Sequence, residues 1–198
     1  MKIKILNNII KILFLFFIIL TFSHCDQKSE KIVDENQQIS VKVFSSLTCP
    51  HCANFHKKVI LSLKSDENLN SFVKFEHIGF PLDLAALNAE KILYCFKNQD
   101  NRFELLTHLY DDQNNWASGS NINDINESLK KIGKKFKMDD ANLEKCLRDE
   151  KIEEIILEKF LKAQKEFKIK STPTIFINNE KYEGKHNFKD FKKAIEKL

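Results

Sequence analysis

Residues 39–52, ISVKVFSSLTCPHC, contain the strongest structural signal in the sequence. Apolar and polar side chains alternate over residues 39–44, which predicts a half-buried β-strand. After the second cysteine, apolar residues recur at helical spacing, at Phe55, Val59, Ile60 and Leu63. Pro50 then falls in the first helical turn, where proline is best tolerated. The sequence therefore predicts two cysteines, three positions apart, at a strand-to-helix junction.

This placement gives the two cysteines different chemistry. A helix N-terminus offers unpaired backbone N–H groups and the positive end of the helix dipole, and both favour a thiolate over a thiol. We expect Cys49 to have a lowered pKa and to be the nucleophile, and the more buried Cys52 to be the resolving thiol. His51 is expected to donate a hydrogen bond or positive charge to the Cys49 sulfur. Cys49, Pro50, His51 and Cys52 thus form the predicted catalytic motif.

Two other interpretations of the cysteine pair stay open. The pair is also half of a zinc site if His24 or His56 supplies further ligands, although no second pair of ligands follows at a familiar spacing. A structural disulfide is the other alternative, but a bridge across one helical turn gains little from loop closure. A redox-active pair is the favoured interpretation.

Composition limits the classes of protein to consider. The chain has 198 residues, 42% hydrophobic and 30% charged, which indicates one folded domain or one domain with an insertion. Intrinsic disorder and a multi-pass membrane protein are disfavoured. The formal net charge of +4 is too small to indicate a nucleic-acid-binding protein.

The N-terminus has the layout of an export signal. Residues 1–24 combine three lysines, no acidic residue and a short apolar run. Without them the formal net charge falls to +1, since 29 basic and 28 acidic residues remain. Residues 25–38 are mostly polar and are predicted to form a tether. The signal followed by Cys25 resembles that of bacterial lipoproteins, which makes Cys25 a candidate for lipid attachment; cleavage after Ser23 and an uncleaved membrane anchor are the alternatives.

A long helical segment separates two groups of strands. Residues 73–80 alternate and predict a second strand, and the next strand begins near Thr172. The roughly ninety residues between them have helical apolar spacing and include Cys95 and Cys146. Tyr110 and Trp116, in this segment, are interpreted as packing residues. No role is assigned to three histidines, His77, His108 and His186.

The sequence resembles the DsbA family of thioredoxin-fold oxidoreductases. The resemblance rests on the Cys49–Cys52 motif and on residues 171–177, STPTIFI, which look like the family's second active-site element. It implies an α/β, thioredoxin-like fold with an inserted all-helical domain. Residues 39–81 and 169–198 would form the two halves of the thioredoxin fold, and residues 82–168 the insertion.

The resemblance also implies site residues, partners and location. Pro173 would be a cis proline facing the cysteine pair, with the Thr172 backbone binding an extended substrate peptide. Cys95 and Cys146 look like a structural disulfide of some subgroups; two unlinked buried cysteines are the alternative. The implied activity needs no metal or other cofactor. The implied partners are unfolded, cysteine-containing exported proteins and a DsbB-like membrane redox partner, and they do not include nucleic acid. The implied protein is a periplasmic monomer, with a lipid or the signal as its membrane anchor.

Two positions depart from the family pattern. Thioredoxin-fold oxidoreductases often have a buried acid six residues before the first active-site cysteine, where this chain has Val43. The prototype DsbA has valine before the cis proline, where this chain has Thr172. Threonine is commoner there in isomerases, so a disulfide isomerase or reductase is an alternative function. A lipid-anchored binding or chaperone-like module is an alternative from another class.

Overall fold

The computed structural model describes residues 38–198. The predicted export signal, Cys25 and the tether up to residue 37 lie outside these residues. Four strands form one mixed sheet in the order β2-β1-β3-β4. Strand β1 pairs in parallel with β2 and antiparallel with β3. The strands are β1 (Ile39–Ser45), β2 (Val73–Gly79), β3 (Thr174–Ile177) and β4 (Glu180–Lys181).

Nine helices accompany the sheet within residues 38–198. Helix α1 begins as Pro50–Phe55, passes through a π-helical turn at His56–Ile60 and ends as Leu61–Ser65. A one-turn helix α2 (Glu67–Asn70) leads into β2, and α9 (Phe188–Ile195) closes the chain. Between β2 and β3 lie α3 (Leu84–Cys95), α4 (Gln99–Asp111), α5 (Gln113–Trp116), α6 (Ile122–Lys135), α7 (Asp140–Leu147) and α8 (Glu150–Glu166).

Short polar residues set where the inserted helices begin. Five of these helices have an Asp or Asn N-cap whose side chain accepts a backbone N–H of the first turn, at Asp83, Asn98, Asn121, Asp139 and Asp149. The β3–β4 hairpin turns at Asn178 and Asn179, both with positive φ (48° and 72°), a conformation that asparagine tolerates in two-residue turns. Local sequence therefore determines these boundaries.

Three apolar clusters form the core. One lies between the sheet and helices α1 and α9, and includes Val41, Phe55 and Phe191. A second joins the sheet to α8 through Phe44 and Ala163. The largest lies within the inserted helices and includes Cys49 and Cys52, among others. The α/β fold with a helical insertion is thereby confirmed, and the insertion packs directly against the cysteine pair.

Membrane-spanning helices were also considered for the described part of the chain. Among residues 38–198, no helix combines the length and the hydropathy needed to cross a bilayer.

Candidate active site

The cysteine pair lies where β1 leads into α1. Cys49 is the N-cap residue of α1 and Pro50 occupies the first helical turn. Both cysteines are free thiols and both are buried, with 8% of Cys49 and 2% of Cys52 exposed. Pro50 and His51 are exposed, so the first turn of α1 meets solvent beside the Cys49 sulfur.

The pKa of Cys49 is lowered from its ordinary value of 9.0 to about 5. The largest cause is the hydrogen bond that the Cys52 thiol donates to the Cys49 sulfur, and it outweighs the opposing effect of burial. The Thr172 side chain and the backbone N–H groups of Cys52 and His51 also favour the thiolate. His51 contributes its backbone N–H, and the expected contribution of its side chain stays a prediction. At neutral pH Cys49 is a thiolate.

Cys52 has the opposite tendency. Burial, followed by the hydrogen bond to Cys49, raises the pKa of Cys52 far above its ordinary value. Cys52 therefore stays protonated while Cys49 ionises. One thiol of the pair is ready to attack, and the other is a poor acid that needs help to lose its proton.

The segment just before strand β3 lies against the Cys49 sulfur. The Thr172–Pro173 peptide bond is cis, and the Cys49 sulfur lies 3.5 Å from the Thr172 carbonyl oxygen. Thr172 Oγ1 is buried and has no hydrogen-bond partner within residues 38–198. Its hydroxyl is therefore free to donate to the Cys49 thiolate. The structure thus brings Thr172 and Pro173 together with the cysteine pair.

The inserted helices hold the loop that carries Cys49. Gln113 Nε2, in α5, donates to the carbonyl oxygens of Leu47 at 2.7 Å and Cys49 at 3.2 Å. Thr48 Oγ1 donates to Asp83 Oδ2 at 2.7 Å, at the beginning of α3. Sequence analysis missed these contacts because Gln113 belongs to no recognisable motif and lies in a helix of one turn.

The remaining predicted residues are a cysteine pair of the insertion and the histidines considered for zinc. Cys95 and Cys146 form a disulfide with a Cα–Cα distance of 6.2 Å, and it links α3 to α7. Of the histidines considered for zinc, His24 is not among the described residues. His56 is buried and its Nε2 lies 2.9 Å from Thr107 Oγ1. Within residues 38–198, no group of three or more His, Cys, Asp or Glu side chains is arranged to bind a metal.

A buried polar group lies behind the resolving cysteine. His77 Nδ1 lies 2.9 Å from Ser45 Oγ, and His77 Nε2 lies 2.7 Å from Glu90 Oε1. Glu90, in α3, is fully buried. Tyr110, Ser45, His77 and Cys52 line one small cavity. Sequence analysis assigned His77 no role and Tyr110 only packing, since their partners lie on other elements far along the chain.

Comparisons with known proteins agree with this geometry. A sequence-family profile described as Thioredoxin matches residues 32–197. A Rickettsia bellii protein, provisionally named a protein-disulfide oxidoreductase, is 29% identical over 176 residues, which are 87% of this chain and 65% of that protein. A protein of the same provisional type from Rickettsia typhi is 26% identical over 87% of this chain and 62% of its own length. This chain therefore spans less than two thirds of the length of these two relatives.

Solved structures show the same architecture. Alpha-DsbA1 of Wolbachia pipientis has a TM-score of 0.75 and 26% identity, covering 83% of this chain and 87% of that chain. BdbD of Bacillus subtilis, in its oxidised form, has a TM-score of 0.67 and 21% identity, covering 83% and 89%. The second likeness shows the fold alone. Because the profile spans most of the chain and the helical insertion is that of DsbA-like proteins, this chain belongs to the thioredoxin family, with a DsbA-like fold.

Proposed function

We propose that this protein is a thiol:disulfide oxidoreductase that introduces disulfides into exported proteins. The observation that carries the proposal is the place of Cys49 at the N-terminus of α1, next to the buried Cys52 and 3.5 Å from the Thr172 carbonyl oxygen. This arrangement lowers the pKa of Cys49 to about 5 and raises that of Cys52. A stabilised Cys49 thiolate favours the dithiol form of the protein, so the Cys49–Cys52 disulfide gives up its oxidising equivalents readily.

The reaction is a two-step exchange. A substrate thiolate attacks Cys49 Sγ of the oxidised protein, the Cys49–Cys52 bond breaks, and its electron pair stays on the Cys52 sulfur. A second substrate thiolate then attacks the substrate sulfur of this mixed disulfide. Cys49 leaves as the thiolate, which its low pKa makes a good leaving group. The substrate is oxidised to a disulfide, and the protein is reduced to the dithiol.

The cis-proline element is proposed to position the substrate. The Thr172 carbonyl lies 3.5 Å from the Cys49 sulfur, so a peptide bound along the Thr172 backbone would bring its cysteine to Cys49. Exposed apolar side chains at Leu82 and Leu84 follow Pro81 on the segment that Thr48 ties to the active-site loop. An unfolded, cysteine-containing segment suits such a surface better than a folded protein does.

The location and the partners belong to the same proposal. Residues 1–24 have the pattern of an export signal, and Cys25 is the candidate for lipid attachment. The protein would act in the periplasm as a monomer, free or anchored through the signal or the lipid. A DsbB-like membrane partner would reoxidise the dithiol. The redox chemistry of the cysteine pair itself uses no metal and no organic cofactor.

The decisive experiment combines an equilibrium with a variant. The Cys49–Cys52 pair is equilibrated with glutathione buffers, and oxidation of a reduced dithiol peptide is followed. We expect a strongly oxidising pair, loss of peptide oxidation in Cys49→Ser, and full activity in the matched control Cys25→Ser. Peptide oxidation by Cys49→Ser would refute the mechanism. A reducing pair would favour the isomerase or reductase function that Thr172 leaves open.

A further inference from the structure

The resolving thiol Cys52 is buried, so it needs a path along which a proton can reach it and leave it. Cys52 is 2% exposed, so solvent does not reach it freely. Each catalytic cycle nevertheless adds one proton to Cys52 and removes one, because the thiol and the disulfide alternate there. Position 43, on the neighbouring strand β1, is a buried valine and offers no titratable group. A titratable group must therefore reach Cys52 from elsewhere.

A small cavity beside Cys52 offers such an approach. It has about 10 Å³ open to the centre of a water molecule, close to the minimum that one water needs. Polar groups in its wall include Ser45, His77 and Tyr110. The Tyr110 hydroxyl is fully buried, and among the described residues it has no hydrogen-bond partner. These are the surroundings that hold a buried water in proteins.

One buried carboxylate is connected to this cavity. Glu90 Oε1 lies 2.7 Å from His77 Nε2, and His77 Nδ1 lies 2.9 Å from Ser45 Oγ. His77 pairs in register with Val43, so it lies next to the position that lacks the acid. Gly79 makes room for the carboxylate, because a Cβ at that position would lie 2.7 Å from Glu90 Cδ.

The other titratable groups that face Cys52 are unsuited to carry this proton. Burial lowers the pKa of His56 to about 3, and its Nε2 is occupied by Thr107. Burial raises the pKa of Tyr110 well above its ordinary value, so this residue stays a neutral phenol. Cys49 is the reacting thiolate. The hydrogen-bonded His77–Glu90 pair is left as the titratable group that Ser45 connects to the cavity beside Cys52.

We propose that Glu90, His77 and Ser45 form a proton relay that serves Cys52 through one water in the cavity. The inference rests on the proposed function and deepens it, because it assigns the acid and base of the resolving step. The carboxylate of this relay comes from α3, one of the inserted helices. Glu90 and His77 act through Ser45 and the water, so they are relay residues and do not touch the reacting sulfurs.

Protons and electrons balance in both directions. When a substrate thiolate attacks Cys49, the electron pair of the broken S–S bond stays on Cys52 Sγ. This sulfur then takes a proton from His77 through the Ser45 hydroxyl and the water. When a partner disulfide reoxidises Cys49, the same path returns the proton from Cys52 to the His77–Glu90 pair. The Cys52 thiolate then attacks the mixed disulfide and releases the partner thiol.

The test separates the two halves of the reoxidation. Reduced full-length protein is mixed with oxidised glutathione and quenched with acid, and the adduct on Cys49 and the Cys49–Cys52 disulfide are quantified by mass spectrometry. Only release of glutathione from the adduct requires Cys52 to lose its proton. In Glu90→Gln we expect release at pH 7 to slow by about tenfold or more, with adduct formation unchanged. The deficit should shrink as pH rises, because hydroxide then takes the place of the relay as the base that removes the Cys52 proton.

Two further variants make the outcome unambiguous. Ser45→Ala removes only the hydroxyl link and should show the same pH-dependent deficit, so it carries the test if Glu90→Gln does not fold. Glu76→Gln makes the same change at an exposed position of β2 and should release glutathione at the wild-type rate. Wild-type release in Ser45→Ala, or a deficit equal at every pH, overturns the relay. Failure of adduct formation in the wild type would instead overturn the proposed function.

Discussion

The low pKa of Cys49 depends most on its partner cysteine, and this dependence can be measured. Replacing Cys52 with alanine removes the donor that makes the largest contribution to the lowered pKa. A hydrogen bond to a charged group contributes about 1.5–3 kcal/mol, which corresponds to roughly one to two pKa units. The pKa of Cys49 should therefore rise from about 5 to roughly 6–7 in Cys52→Ala. It should stay below 9.0, because the helix N–H groups and Thr172 remain.

The assay is the pH dependence of alkylation by iodoacetamide, which reacts with the thiolate. Mass spectrometry of the peptide that contains Cys49 separates its signal from that of Cys25. Cys52→Ser is the matched control: its hydroxyl is still a donor, so the midpoint should stay within about one unit of the wild type. A midpoint of about 5 in Cys52→Ala would show that this hydrogen bond is not the main cause. A wild-type midpoint near 9 would refute the activation of Cys49 altogether.

The redox couple, the structural disulfide and the contact from α5 each give a further measurable outcome. Between about pH 6 and 8 the midpoint potential of the Cys49–Cys52 couple should fall by about 30 mV per pH unit, because Cys49 stays ionised and only Cys52 takes up a proton on reduction. A slope of about 60 mV per pH unit would contradict this. Replacing both Cys95 and Cys146 with alanine should lower the free energy of unfolding in urea by up to about 4 kcal/mol. The alkylation midpoint of Cys49 should stay the same, and a shifted midpoint would contradict a purely structural role. Gln113→Leu leaves two loop carbonyls without their donor and should cost about 1–3 kcal/mol in thermal or urea unfolding; unchanged stability would show that the contact contributes nothing.

Sequence reasoning succeeded where one local pattern contains all the information. The strand, the two cysteines and the helix follow each other within residues 39–65, so their order along the chain gives their arrangement in space. The long inserted helices were predicted for the same reason, because apolar spacing is a local property. The predicted strand near Thr172 begins two residues later, at Thr174, since the residue before proline and the proline itself do not join the ladder.

The polar surroundings of Cys52 could not be predicted in this way. His77 and Glu90 lie on different elements, and their contact depends on how α3 packs against β2. The one-turn helix α5 is too short to show any period, so Gln113 gave no signal. The sequence also gives no sign that Glu90 is buried, because charged residues are usually exposed and are buried only with a partner. Only the packed structure identifies that partner.

The inserted helices contact the surroundings of both active-site cysteines. Gln113 fixes the carbonyl groups around Cys49. Tyr110 closes the cavity beside Cys52, and Glu90 reaches the same region through His77. These three residues come from α3, α4 and α5, and the disulfide from Cys95 anchors the end of α3 to α7. Under the proposed relay, a change that shifts α3 relative to the sheet would alter the rate at which Cys52 exchanges its proton. Cys49 would keep its low pKa, because the Cys52 thiol and the helix N–H groups that lower it stay in place. In this proposal the thioredoxin core supplies the two cysteines, and the insertion supplies the proton exchange of the resolving step.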